Sequence, residues 1–223
     1  MRFLLLICIL AMIGWSMPGT IDVFASNKLP TFSNTTELQN YLKTAMMKQE
    51  TSMRVNYTGT RNDVQSYKLN QLLDKVTLST DDYTHYNLRS YATRATIPSK
   101  GPISIQFTLT YRENMTQREA VQKAAKEIVA DLITVDMNTH EKVKSLHDWV
   151  VLNFAYDNQL FYRSAYDGLK TGKTVCEGYA LMFYRLLSEA GIPVKVVEGY
   201  GRARPHAWNL VQLDSSCADS LCR

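Results

Sequence analysis

Cysteine is scarce in this chain: four residues, Cys8, Cys176, Cys217 and Cys222, among 223. After Ile13 no apolar run is long enough to span a bilayer, which takes about 20 residues, so a polytopic membrane protein is excluded. Charge of one sign is not concentrated anywhere. The formal net charge of +4 is spread along the chain, which argues against a nucleic-acid partner. There is no internal repeat, no low-complexity linker, no acidic loop of EF-hand type and no H-E-x-x-H, so neither calcium nor a metalloprotease zinc is indicated.

The N-terminus does carry one apolar stretch. Arg2 precedes the run Phe3–Ile13, Gly14, Ser16 and Pro18 interrupt it, and Val23-Phe24-Ala25 supplies small residues at the offsets of a cleavage site. That layout predicts a signal peptide over residues 1–25, a secreted or extracytoplasmic location, and no membrane span after cleavage. Removal of Cys8 would leave three cysteines. Cys217 and Cys222 are close enough to pair, and Cys176 would then be a free thiol in an oxidising compartment.

The apolar content, 45%, suits a soluble α+β fold. Residues 26–135 read as a small α+β region. Helical spacing marks Thr36–Lys48 and Val64–Val76, and alternation marks strands at Met53–Tyr57, Tyr83–Ala92 and Ile103–Tyr111. Two helices follow, Thr116–Ile133, with Thr116 as cap and Glu119 three residues on, and Thr139–Phe154. The boundary of a second unit, residues 136–223, falls near Asp136.

Cys176–Ala190 reads as a central buried helix that ends at Gly191 and Pro193, followed by strands at Pro193–Tyr200 and from His206 onward. Such a helix advances the chain by about 21 Å, and the following strand returns it by about 20 Å. His206, 30 residues after Cys176, can therefore come back to the helix mouth. Thiol at a helix N-terminus plus imidazole is a nucleophile and base: unpaired N–H groups and the macrodipole stabilise the thiolate, the imidazole moves the proton, and the N–H of Cys176 can help hold an oxyanion. In this reading Gly178 keeps the first turn open. The competing reading makes Cys176 a small buried apolar residue and His206 structural. A zinc site of Cys176, His206, Cys217 and Cys222 is poorly supported by the C-x₄-C spacing. His140 and His147 read as surface residues, and Tyr156, Tyr162 and Tyr166 as candidate walls of a peptide cleft.

The runs K-T-V-C-E-G-Y-A, L-L-x-x-A-G-I-P, V-E-G-Y and H-A-W-N-L-V-Q-L-D, with the upstream EKVKSLHDWVVLNFAYD and SAYDGLKTGKT, resemble the transglutaminase-like core superfamily, in particular its secreted bacterial members. The resemblance spans roughly residues 141–214. It implies a papain-like core in which a cysteine helix packs on an antiparallel sheet. It also implies a Cys-His-Asp triad performing acyl transfer at amide bonds: crosslinking, deamidation or peptide hydrolysis. Cys176 and His206 take the first two positions, and Trp208 and Asn209 pack and position. No cofactor or metal is implied, and the partner is a protein or peptide substrate, cell-wall peptides included. After Asp214 the chain reads DSSCADSLCR, without the family's aromatic strand and Asp-x-Thr-Trp. The expectation is therefore a C-terminally truncated member with impaired turnover, since loss of the orienting carboxylate costs about 10⁴ in rate. Asp219 is the one nearby substitute. The alternative is a non-catalytic extracytoplasmic domain that retains the fold to bind a peptide or the cell wall.

Overall fold

The computed structural model of the chain describes residues 29–201 and 204–213. Two apolar clusters organise them. The first rests on a four-stranded sheet of β1 (Thr31–Phe32), β2 (Ser52–Tyr57), β3 (Leu88–Thr96) and β4 (Ile103–Tyr111), in the order β1-β2-β4-β3. β1 pairs parallel with β2, and the other pairings are antiparallel. The alternation in ISIQFTLTY decides which face is inward: Ile103, Ile105, Phe107 and Leu109 are all buried, with Met53, Val55 and Tyr57 beside them on β2. α1 (Thr35–Met47) and α2 (Ser66–Leu78) join that cluster through Leu38, Leu42 and Met46, and through Leu69, Leu73 and Val76. Asn34 caps α1 by accepting the Glu37 N–H.

Two local expectations are corrected. Tyr83–Ala92 is not one strand: Asp82–Asn87 is a helical turn and a half, α3, and only then does β3 begin. Asp81 explains the difference. Its carboxylate accepts the Thr84 N–H at 3.0 Å and the Thr84 hydroxyl at 2.6 Å, an N-cap that overrides the β-favouring Tyr and Thr residues. The helix expected from Thr116 is capped two residues earlier. Asn114 and Gln117 form a reciprocal capping box, so α4 runs Met115–Leu132.

The second cluster gathers α3, α4, α5 (Thr139–Asn153), α6 (Ala165–Thr171) and α7 (Cys176–Glu189) around the antiparallel hairpin β7 (Val194–Gly201) and β8 (Arg204–Val211). A short parallel pair, β5 (Ala155–Tyr156) and β6 (Lys173–Thr174), brackets α6. α7 is the axis of this half: α3, α4, α5, α6 and both hairpin strands pack on it. Ala180, Leu181, Met182, Leu186 and Leu187 are buried along it, each of the larger ones worth about 2 kcal/mol. The fold is thus α+β, with a cysteine-bearing helix packed on an antiparallel sheet. α4 lies before Asp136 in sequence, and its Val121 and Ala125 belong to this second cluster.

A buried polar knot joins the two clusters. The Glu113 carboxylate accepts the Tyr83 hydroxyl at 2.6 Å and the Tyr166 N–H at 2.8 Å. The backbone carbonyl of Glu113 accepts amide N–H groups from Gln49 and Asn87, and its N–H donates to Asn87. The Arg185 guanidinium stacks 3.9 Å from the Tyr83 ring centre. Burial raises the Glu113 carboxyl above its ordinary range, against the opposing pull of the Tyr83 hydroxyl, the Tyr166 N–H and Arg185. Folding therefore strengthens proton binding at Glu113. The associated stability is full below the ordinary value of 4.5 and is lost as the pH rises through the folded value. Glu113→Gln, which keeps a polar partner for both contacts and removes the charge, should be most favoured over the parent near neutrality, the difference moving toward the parent on acidification. Glu113→Ala should lose about 1–3 kcal/mol by orphaning the Tyr166 N–H. Urea denaturation of the three proteins across pH checks both, and a pH-independent Gln-versus-parent difference would refute the first.

Candidate active-site cleft

The site is built where α7 begins. Val175 is its N-cap and offers no side-chain hydrogen bond, and the backbone N–H groups of Cys176, Glu177 and Gly178 have no acceptor among the described residues. That first turn is nonetheless held firmly. The Val175 N–H donates to the Tyr162 carbonyl at 3.0 Å, and the buried Thr174 hydroxyl donates to the Ser164 carbonyl at 3.0 Å. Glu177 pairs with Arg112 at 3.1 Å and Arg163 at 3.4 Å. Gly178 is buried rather than open: a Cβ there would collide with the Thr174 side chain and lie 2.6 Å from the Ser164 carbonyl oxygen. Its role is close approach of α7 to the start of α6, which corrects the expectation that it clears the first turn.

The loop opposite is shaped by Asp157. Its carboxylate accepts backbone N–H groups from Gln159, Phe161 and Tyr162 at 3.1, 2.7 and 2.9 Å. These bonds, that from Tyr162 foremost, hold its carboxyl below the usual range. The Asp157 N–H donates to the Thr174 carbonyl, tying the loop to the residues that lead into α7.

The hairpin supplies the other wall. β7 and β8 pair from Val194–Val211 to Gly201–Arg204, so His206 is the third residue of its strand rather than the first. Side chains alternate along β8. Ala207 is buried in the second cluster, and the Asn209 side-chain amide donates to the Ala180 carbonyl of α7 at 3.0 Å. His206, Trp208 and Leu210 fall on the opposite face and are exposed. The rings of His206 and Trp208 stack with centroids 6.1 Å apart and planes 24° from parallel. Gly199 admits the Trp208 ring, which a Cβ there would approach to 2.7 Å.

Between these walls lies a cleft of about 1230 Å³ that both Cys176 and His206 line, with Tyr156, Arg163, Glu198 and Tyr200. A neighbouring apolar hollow of about 410 Å³ shares Cys176, Tyr156 and His206 and adds His147, Phe183 and Trp208. Cys176 is half-buried and free; no hydrogen bond joins it to His206, and no carboxylate pairs with His206 among the described residues. Burial first, then the Cys176 sulfur, raises the Tyr156 phenol above its ordinary value. No cluster of three or more His, Cys, Asp or Glu residues suited to a metal occurs among the described residues, and no described helix is long and apolar enough to cross a membrane.

These features coincide with a known family. The family model described as the transglutaminase-like superfamily matches residues 126–216, so this part of the chain is transglutaminase-like. Among curated proteins, the kyphoscoliosis peptidase of Mus musculus is 30% identical over 112 residues, covering 42% of this chain and 17% of that protein. Its Homo sapiens counterpart is 32% identical over 106 residues, covering 40% and 16%. The chain thus spans about a sixth of the length of these relatives. A crystal structure of a TGase overlaps 73% of this chain and 48% of its own, at 16% identity and a TM-score of 0.40.

Of the tyrosines expected to wall a cleft, Tyr156 does so. Tyr166 packs on the second cluster, and Tyr162 contributes its backbone carbonyl to the α7 start. His147, expected at the surface, is exposed yet lines the hollow beside Cys176 and meets Phe183 edge-on. His140 lines neither cavity. Cys8 and the 1–25 segment, Cys217, Asp219 and Cys222 lie outside the described residues. Sequence reasoning missed Arg112 and Arg163, because their partner Glu177 lies 65 and 14 positions away, and Asp157, whose carboxylate binds loop N–H groups that carry no apolar period. Gly178→Ala should lower stability by about 1–3 kcal/mol through overpacking and slow Cys176 alkylation by shifting the first turn. Chemical denaturation with thiol labelling reads both, and an unaltered midpoint would contradict the packing argument.

Proposed function

We propose that this chain is an exported thiol acyl-transfer protein acting on protein or peptide amides, with Cys176 as nucleophile and His206 as base. The observation that carries the reading is the uncapped first turn of α7, opening with Cys176 onto the cleft that His206 also lines. The match of residues 126–216 to the transglutaminase-like superfamily and the similarity to proteins named as peptidases support it. The basic-then-apolar N-terminal stretch supports export.

The chemistry follows from the groups present. The Cys176 sulfur, its proton taken by the His206 imidazole, attacks the amide carbon, and the C–O π electrons move to oxygen. Unpaired N–H groups of the first turn of α7 are suited to donate to that oxyanion. Collapse expels the amine, which leaves with the proton carried by His206, and a thioester remains. Water then yields the acid, or a second amine a new amide, and the thiol is regenerated. Trp208, whose ring lies nearly parallel to the imidazole, restrains its plane.

Iodoacetamide labelling followed by intact mass decides between this and a binding-only domain. Cys176 should alkylate readily at about pH 6.5, and His206→Ala should slow it by about tenfold or more. Slow labelling that is equal in both proteins would leave the peptide-binding alternative in its place.

A further inference from the structure

The cleft at Cys176 shares the walls Leu160 and Arg163 with another cavity, of about 490 Å³, whose lining adds Arg89, Tyr111, Arg112 and Phe161. Two independent features single out this junction. The first is backbone strain at an apolar tip. Leu160 holds a φ of 60°, a left-handed conformation that costs a branched residue about 1 kcal/mol or more, and the Asp157 carboxylate fastens the turn through three N–H groups. What this fastened turn displays is apolar: Leu160 is 48% and Phe161 75% exposed. A turn serving only to connect β5 to α6 has no need to hold two large apolar side chains in water by a strained backbone.

The second feature is a surplus of fixed positive charge. Arg89, Arg112 and Arg163 line the cavity, and Glu177 is the one carboxylate paired with any of them among the described residues. Arg112 is held by Nε to the Tyr86 carbonyl and by Nη2 to Glu177, and Arg163 by Nε to the Leu160 carbonyl and by Nη1 to Glu177. A guanidinium has five N–H donors, so both remain able to donate after these bonds, in orientations already set. Arg89 is exposed and has no ion pair among the described residues. Immobilised guanidinium groups with spare donors match a carboxylate, and the adjacent Leu160 and Phe161 match an aliphatic side chain.

We infer that this cavity is a subsite for a carboxylate borne by the peptide whose amide is presented at Cys176, next to an apolar residue of that peptide. The inference rests on the acyl-transfer reading only for which peptide is bound; the carboxylate comes from an Asp or Glu side chain or from the chain terminus.

The test uses the full chain with Cys176→Ala, so that binding is read without turnover, and fluorescein-labelled peptides followed by anisotropy. One peptide carries Glu beside Leu, a second carries Gln in place of Glu, and the Gln peptide is also compared with free and amidated C-termini. The Glu peptide should bind about fivefold more tightly than the amidated Gln peptide, with the preference shrinking as ionic strength rises. A gain seen only with the free terminus assigns the carboxylate to the chain end. Arg89→Glu should erase the preference and Arg89→Gln reduce it, in proteins whose circular dichroism matches the parent. Equal affinities, no detectable binding of any peptide, or a preference that survives Arg89→Glu overturns the inference. A thiol inert to iodoacetamide together with an intact Glu preference removes the acyl-transfer reading and leaves this subsite standing.

Discussion

Two adjacent residues just past the end of β4, Arg112 and Glu113, hold the starts of two neighbouring helices, α6 and α7, the second of which opens the cleft. Glu113 sends its carboxylate to the N–H of Tyr166 in the first turn of α6, and Arg112 reaches Glu177 in the first turn of α7. A carboxylate at a helix N-terminus suits the orphan N–H groups and the dipole there. Burying a carboxylate is costly without partners, and Glu113 has the Tyr83 hydroxyl, the Tyr166 N–H and the Arg185 charge nearby. The end of the sheet layer is thereby tied to the first turns of α6 and α7. Cleft geometry in the second half is coupled to strand geometry in the first through one buried side chain.

α7 carries two demands that conflict. Its middle and end are buried among other helices and the hairpin, which calls for full satisfaction of polar groups, yet its first three N–H groups lack partners among the described residues. The conflict is resolved by bracing the chain on either side of those groups instead of capping them. Thr174 and Val175 bond to the connector ahead of the helix, Glu177 pairs outward with two arginines, and Gly178 lets the α6 start come within contact. Rigid support around open donors is the arrangement an anion-binding helix mouth requires.

Much of this was legible in the residues. The alternation of ISIQFTLTY placed β4, and the apolar run from Ala180 to Leu187 with Gly191 behind it placed a buried α7, because both signals are local and periodic. The lengths of α7 and β7 also set where His206 could return, on the same cleft as Cys176. α3 was hidden because a single Asp81 cap outweighed the β-favouring residues after it, a local competition that periodicity does not register. The arginine cavity was hidden for a different reason: its members come from separate elements and meet only after both clusters have formed. The Asp157 clamp is local, but bonds to the N–H groups of Gln159, Phe161 and Tyr162 leave no apolar period in the sequence.

The motif His206-Ala207-Trp208-Asn209 is informative as a strand because its period is two. Ala207 and Asn209 pack against α7, where Asn209 ties the strand to the Ala180 carbonyl; His206 and Trp208 lie on the exposed side of the strand, stack on each other over Gly201 and Gly199, and line the hollow beside the start of α7. Each member therefore needs its neighbour on the opposite face. Without the Asn209 bond and the buried Ala207, the strand could slide along β7. A slip of one residue would turn the imidazole into the packed interior and expose the amide. The small residues opposite enforce the same register, since Gly199 accommodates the Trp208 ring and a neighbour with a Cβ would not. The outward pair in turn occupies the face on which an apolar edge would otherwise begin at Leu210, 58% exposed. Register, then, is what makes an imidazole on a two-stranded hairpin a directed group: the side of β8 that packs determines where the side that does not pack is aimed.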